Sequence, residues 1–279
     1  MKCVAFLGDE PVYSLLVMIA ILKLRRVYFA VSSRVPEALV TEMLTKAGTD
    51  YLITSKQYRH VAQAISDIES QVWDPVSPKV FMTLAAGYDN NIDYSVKLPT
   101  ESLKDVVIKL HSSGSTGVPK PMSMTNRWMI MLIQALDMES KSKWKGLGLD
   151  ADSVIFPTAP LFHSTGIVSY FWSALYGCHT IALRNLPPTS QELLSILEMY
   201  RPDVVFTAPV VLNDLADDLQ DRYISKATVN ALDRVRLCLF GGDQLIARAG
   251  DFLLSQGLNI RSIYGLTGVK LVNSSQQNC

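Results

Sequence analysis

Short apolar runs alternate with segments whose apolar residues recur at helical spacing, beginning at the first residues of the chain. Cys3–Leu7 reads as a strand. Asp9-Glu10-Pro11 then sets up a helix start, because proline is tolerated in a first turn whose N–H groups have no intrahelical partner. That helix runs to about Leu24. Val27–Val31 reads as a second strand, Pro36–Lys46 as a second helix ended by Gly48, and Tyr51–Thr54 as a short third strand. Gln57–Glu69 reads as a third helix and Lys79–Met82 as another strand. Strands alternating with helices of this length predict βαβ units and a parallel sheet with helices on its faces.

Residues 85–104 are polar and irregular and read as a linker. Beyond them Val106–His111 is a buried strand, Pro121–Met124 a returning strand, and Thr125–Met138 a helix with Trp128, Met131, Leu132 and Ala135 on its apolar face. Residues 139–152 form a second polar connection whose lysines read as a solvated face. The alternation then resumes. Strands are expected at Val154–Phe156, Thr180–Leu183, Val204–Phe206, Arg236–Phe240 and Ile260–Ile263. Helices are expected over Gly166–Leu175, Ser190–Tyr200, Val210–Asp221 and Leu245–Gln256. No internal repeat is visible. The predicted class is α/β, with mostly parallel sheets flanked by helices. The expected division is 1–105, 106–268 and a tail at 269–279.

Composition narrows the function classes. With 279 residues, 48% hydrophobic and 19% charged, the chain can bury a substantial core and is not of disordered type. Lys plus Arg equals Asp plus Glu at 26 each, so the charge balance predicts neither nucleic acid nor an anionic membrane as partner. The apolar run Val12–Leu22 is well short of the roughly 20 residues a spanning helix needs. Its flanking charges do not match a signal peptide, so it reads as a buried helix and no membrane partner is expected. Cys3, Cys178, Cys238 and Cys279 have no metal-ligand spacing; Cys178 and Cys238 read as small buried hydrophobes and Cys279 as a loose end. No protein-held metal site is predicted, and a reducing, cytoplasmic compartment is expected.

One stretch concentrates chemistry. Ser112-Ser113-Gly114-Ser115-Thr116-Gly117-Val118-Pro119-Lys120 follows directly on an apolar strand. Glycines allow successive backbone N–H groups to converge on oxygen, hydroxyls add donors, and lysine adds a point charge, which together suit a polyphosphate. A Walker A loop is excluded, since Gly114 and Gly117 stand too close and Val118-Pro119 precede the lysine. No Gly-x-Ser-x-Gly elbow is present. A plain Ser/Gly surface turn is the structural alternative.

This stretch resembles the phosphate-binding signature of the adenylate-forming superfamily, which includes acyl-CoA ligases, luciferases and synthetase adenylation domains. Three further segments resemble that family's motifs in its order: Pro160–Gly166 (PLFHSTG), Phe240–Leu245 (FGGDQL) and Tyr264–Thr267 (YGLT). The N-terminal text is most similar to fungal synthetase-like adenylate-forming reductases. The resemblance implies that ATP and Mg²⁺ take part and that a small carboxylic acid is converted to an acyl-adenylate, within fungal secondary metabolism. It implies that Ser113, Gly114, Ser115, Thr116, Gly117 and Lys120 hold the β- and γ-phosphates. Gly241 and Gly242 would lie near adenine, Tyr264 and Thr267 against the adenine ring and α-phosphate, and His163 beside the acyl group. His163, Lys120 and Thr267 are thereby the catalytic candidates. The structural alternatives are a satisfied core histidine at 163, a packing aromatic at Tyr264 and a plain turn at Gly241-Gly242. The motif around His163 is shared by acyl- and aryl-acid activators and points to an acid without an α-amino group.

The sequence also departs from the family. Where the family has a glutamate that helps bind Mg²⁺, Gly268 stands here. No Thr-Gly-Asp to grip the ribose follows, and no small C-terminal domain with its catalytic lysine. These departures predict that the 279-residue chain by itself adenylates poorly. They leave three readings: a component completed by another polypeptide, a non-catalytic nucleotide-binding or partner protein, and a remnant of a larger synthetase-like enzyme.

Overall fold

The computed structural model describes residues 2–65, 67–73, 102–112, 119–142, 149–221, 224–264 and 273–275. They form two compact units, Met1–Asn126 and Arg127–Cys279.

The first unit is built on a six-stranded sheet of order β4-β3-β1-β2-β5-β6. Its strands are β1 (Cys3–Leu7), β2 (Val27–Val31), β3 (Tyr51–Ser55), β4 (Glu69–Trp73), β5 (Val106–His111) and β6 (Pro121–Thr125). All neighbours are parallel except β5 and β6, which form an antiparallel pair. Helices α1 (Pro11–Lys23), α2 (Glu37–Lys46) and the short α3 (Arg59–Ala64) make the connections. Strand β2 is buried at every position, as an apolar strand covered on both faces must be. Phe29 and Val31 join Met43, Leu44 and Leu52 in one cluster on one face.

The second unit carries the order β12-β11-β10-β9-β7-β8. Its strands are β7 (Val154–Pro157), β8 (His179–Thr180), β9 (Val204–Thr207), β10 (Leu237–Phe240), β11 (Ile260–Tyr264) and β12 (Asn273–Ser275). Its helices are α4 (Asn126–Ser142, which enters from the first unit), α5 (Ser164–Tyr176), α6 (Ser190–Tyr200), α7 (Pro209–Gln220), α8 (Lys226–Asp233) and α9 (Ala247–Ser255). Alternate residues of the central strands feed opposite cores. Phe156, Val205, Cys238 and Phe240 pack with α6, α7 and α9. Ile155, Val204, Phe206, Leu237 and Leu239 pack with Leu132 of α4 and Trp172 of α5. The two-residue period places one cluster on each face.

The two units repeat one topology that the sequence does not display. In both, a first strand pairs in parallel with the second and the third, and a fourth joins the third: β4-β3-β1-β2 and β10-β9-β7-β8. One local device recurs with it. Asp50, just before β3, donates its N–H to the Cys3 carbonyl at 2.9 Å and accepts from Cys3 N at 2.6 Å. Asp203, just before β9, does the same with Val154, at 2.8 Å for each bond. Each aspartate thereby ties two strand starts together. The helices before them end on left-handed residues, Gly48 at φ 61° and Arg201 at φ 48°.

Several boundaries differ from the expected ones. The predicted helix Gln57–Glu69 ends at Ala64, Ile65 turns extended, and Glu69–Trp73 is a strand. This strand lies at the sheet edge, where one face can be polar, so ESQVW carries no apolar signature. The strand expected at Thr180–Leu183 is the two-residue β8. Helix α8, not expected from the sequence, is short and buries only Thr228, Ala231 and Leu232. The expected strand Lys79–Met82 lies outside the described residues. Among the described residues, no helix is long and apolar enough to cross a membrane. Burial raises the Cys238 thiol to about 12, which keeps it an unreactive packing group.

Candidate functional site

In the second unit β7, β9, β10 and β11 run parallel, so their carboxyl ends share one edge of the sheet. Open parallel sheets bind ligands beyond that edge, where loops diverge and helix N-termini point outward. Three sequence-predicted segments leave from it. The Pro160–Gly166 turn follows β7, Gly241-Gly242 follows β10, and Tyr264 is the last residue of β11. Gly241 and Tyr264 leave adjacent strands about 4.8 Å apart, and the β7 turn starts two strands away, on the order of 10 Å.

The two glycines do different things. A Cβ on Gly241 would lie 2.6 Å from the Ile263 carbonyl oxygen, so a side chain there would push the end of β10 off β11. Gly242 has φ 102°, and a Cβ there would meet nothing within 4 Å among the described residues. It is a bare, open stretch of backbone at the sheet edge, the kind of surface a flat ring can approach. Gly241→Ala is therefore expected to cost about 1–3 kcal/mol of stability through backbone overlap. Gly242→Ala should cost about 1–2 kcal/mol of backbone strain and weaken ATP binding by a larger factor than Gly241→Ala does. Parallel thermal melts and ATP titrations check this; equal losses of affinity in the two variants would refute the assignment.

His163 is exposed and stands at the N-cap of α5, where its Nδ1 accepts from the Thr165 N–H at 3.2 Å. In the neutral ring the proton then sits on Nε2. The histidine thus has a local structural task, capping, whatever else it contacts. The preceding turn is closed by His163 N–H donating to the Pro160 carbonyl at 2.9 Å. Gly166 allows the first turn of α5 to lie on this turn, since a Cβ would fall 2.2 Å from the Pro160 oxygen.

Sequence reasoning missed a buried pair at the same edge. Thr158 and Thr207, the first beyond β7 and the second ending β9, hydrogen-bond through their hydroxyls at 3.0 Å. Thr158 N–H also donates to the Phe206 carbonyl at 2.7 Å. The available signal was a threonine at the end of each of two apolar runs, VIFPT and VVFT.

The phosphate-type loop belongs to the first unit and leaves the carboxyl end of β5. Its ends are pinned by two bonds: Ser112 N–H donates to the Lys120 carbonyl at 3.1 Å, and Lys120 N–H to Ser112 Oγ at 3.2 Å. Lys120 is exposed and its backbone alone makes the neck. Ser113, Gly114, Ser115, Thr116, Gly117 and Thr267 lie outside the described residues, as do Gly268 and most of the 269–279 tail.

The open glycine backbone at 242 and the donor-rich composition of the loop fit a nucleotide. For Mg²⁺ the fit fails at one point: glycine at 268 has no side chain to ligate a cation.

The chain is 26% identical over 262 residues to adenylate-forming reductase Nps10 of Heterobasidion annosum, covering 88% of this chain and 22% of the reductase. It is 25% identical over 172 residues to a 4-hydroxybenzoate–CoA/benzoate–CoA ligase of Rhodopseudomonas palustris, covering 62% of this chain and 28% of the ligase. The fold superposes on ATP-bound MatB from Rhodopseudomonas palustris with a TM-score of 0.77 at 17% identity, over 100% of this chain and 52% of MatB. The chain therefore spans a fifth to a half of the length of these relatives. The AMP-binding enzyme family matches residues 2–273, nearly the whole chain, and the chain belongs to that family.

Proposed function

We propose that this chain carries the nucleotide- and acyl-binding part of an enzyme that uses ATP to convert a carboxylic acid to an acyl-adenylate, in the cytoplasm and within fungal secondary metabolism. The observation that carries the reading is the bare Gly242 backbone, beside the strand-packed Gly241, at the carboxyl edge of a parallel sheet, in a chain that also holds a donor-rich loop closed at Ser112 and Lys120. In this reading the loop and Lys120 bind the outer phosphates, and the glycine pair and Tyr264 take the adenine. Thr267 stands by the α-phosphate and His163 by the acyl group. Orientation of the carboxylate toward phosphorus is the main catalytic contribution of such groups.

The acid is proposed to lack an α-amino group. The PLFHSTG segment supports this, as does the naming of a relative for benzoates. Pyrophosphate exchange with a panel of aryl, fatty and amino acids is the test. Aryl or fatty acids should drive exchange best, and a clear preference for amino acids would overturn the assignment.

Glycine at 268 favours a second reading, nucleotide binding without turnover unless another polypeptide supplies the missing groups. Saturable ATP binding with negligible exchange by the 279-residue chain supports it, whereas robust exchange by that chain refutes it.

A further inference from the structure

His111 ends β5 and immediately precedes the phosphate-type loop, yet its ring belongs to a different junction. Nε2 lies 3.0 Å from the backbone nitrogen of Ser32, the residue after β2, and Nδ1 lies 3.1 Å from the Ser112 carbonyl oxygen. A backbone N–H can only donate and a carbonyl can only accept. Nε2 must therefore be bare and Nδ1 must carry the proton, which specifies one neutral tautomer. The ring also sits edge-on to Phe29 of β2, with centroids 6.4 Å apart and planes at 88°.

Each end of this bridge is fixed. Ser112 holds the neck of the loop through its N–H and its hydroxyl, both engaged with the Lys120 backbone. Ser32 shapes the turn into α2, its hydroxyl accepting from Arg34 N at 3.1 Å and its carbonyl from Val35 N at 3.2 Å. Because β2 and β5 are parallel neighbours, both serines stand at the same edge of the sheet. We propose that His111 is a positioning residue for nucleotide binding, whose neutral ring ties the neck of the phosphate loop to the β2–α2 turn. The neck, Ser112 and Lys120, is thereby fixed before phosphate arrives, so less ordering is needed there on binding. This rests on the ATP reading above.

Protonation breaks the tie, because a charged ring has N–H at both nitrogens and would point one of them at the Ser32 N–H. Burial holds the His111 pKa below 6.5, an effect partly opposed by the bond to Ser112. The charged side chains on the segments joined here are Arg34, Lys109 and Lys120, and burial, not a neighbouring charge, sets the direction of the shift. A depressed histidine pKa gives stability that is complete above the unfolded value of 6.5 and is lost as pH falls through it toward the folded value.

The test uses the 279-residue chain with ATP as probe and ¹⁵N-histidine NMR. The wild-type ring should show the Nδ1–H tautomer at pH 7.5 and titrate below 6.5. His111→Leu should lower ATP affinity about fivefold to tenfold, and His111→Gln, whose oxygen can accept from Ser32, should recover most of it. An Nε2–H tautomer overturns the proposal, as does ATP affinity in His111→Leu equal to that of the wild type. If the leucine variant does not fold, the tautomer and the glutamine variant still decide. A wild-type chain that binds no ATP while showing the expected tautomer fails the nucleotide reading and the role assigned to His111 within it. A wild-type chain that binds ATP indifferently to position 111 fails this proposal alone.

Discussion

Replacing Gly166 by alanine is expected to destabilise the second unit by about 3 kcal/mol or more, at or beyond the upper end of ordinary overpacking. The added Cβ would lie 2.2 Å from the Pro160 oxygen, 2.7 Å from its carbonyl carbon and 2.8 Å from the Ala159 oxygen. Even a close C–H···O contact keeps carbon and oxygen about 3.3 Å apart. The obstacle is backbone, so no side-chain rotation relieves it. Either the turn after β7 or the first turn of α5 must move. The turn is held by the bond from His163 N–H to the Pro160 carbonyl. The helix is held by Ile167, 1% exposed, and by Trp172, whose ring meets Phe206 at 4.9 Å and 81°. A shift would also carry away the His163 cap. The midpoint of thermal unfolding should fall by roughly 10 °C. Gly48→Ala is the control, since Gly48 has φ 61° but open space around it, and should cost about 1 kcal/mol. Matching melts for the two variants would contradict this account of Gly166.

How far the sequence disclosed the fold depended on where each strand sits in its sheet. β1, β2, β9 and β10 are central and apolar on both faces, and their runs stand out, while β5 shows a buried apolar face of Ile108 and Leu110. The edge strand β4 is polar, and β8 pairs through only two residues, so neither left a clear pattern. The repeated topology was invisible because its shared device is an aspartate before the third strand of each unit, while the left-handed position nearby is glycine in one unit and arginine in the other.

The site was legible where chemistry is local in sequence. A nine-residue loop crowded with glycine, hydroxyls and lysine suggests phosphate by composition, and in FGGDQL the glycine pair marks the turn that follows β10. Residues that act through distant partners were not legible. Thr158 finds Thr207 across 49 positions and His111 finds Ser32 across 79, and no periodicity connects them. The capping of α5 by His163 was equally hidden, since histidine is not among the usual capping residues.

In the proposed function ATP is bound through the loop that ends at Lys120. The lysine side chain is exposed and the neck of the loop is made by backbone and by Ser112, so Lys120→Ala removes a charge without removing a structural bond. A hydrogen bond to a charged group is worth about 1.5–3 kcal/mol, which corresponds to roughly tenfold to a hundredfold in affinity. Calorimetric titration of the purified chain with ATP, beside Lys120→Ala with the same melting midpoint, measures this directly. Saturable binding at one site is expected for the wild type, with a loss of that size in the variant. Absence of binding by the wild type, or equal affinity in the two proteins, would contradict it.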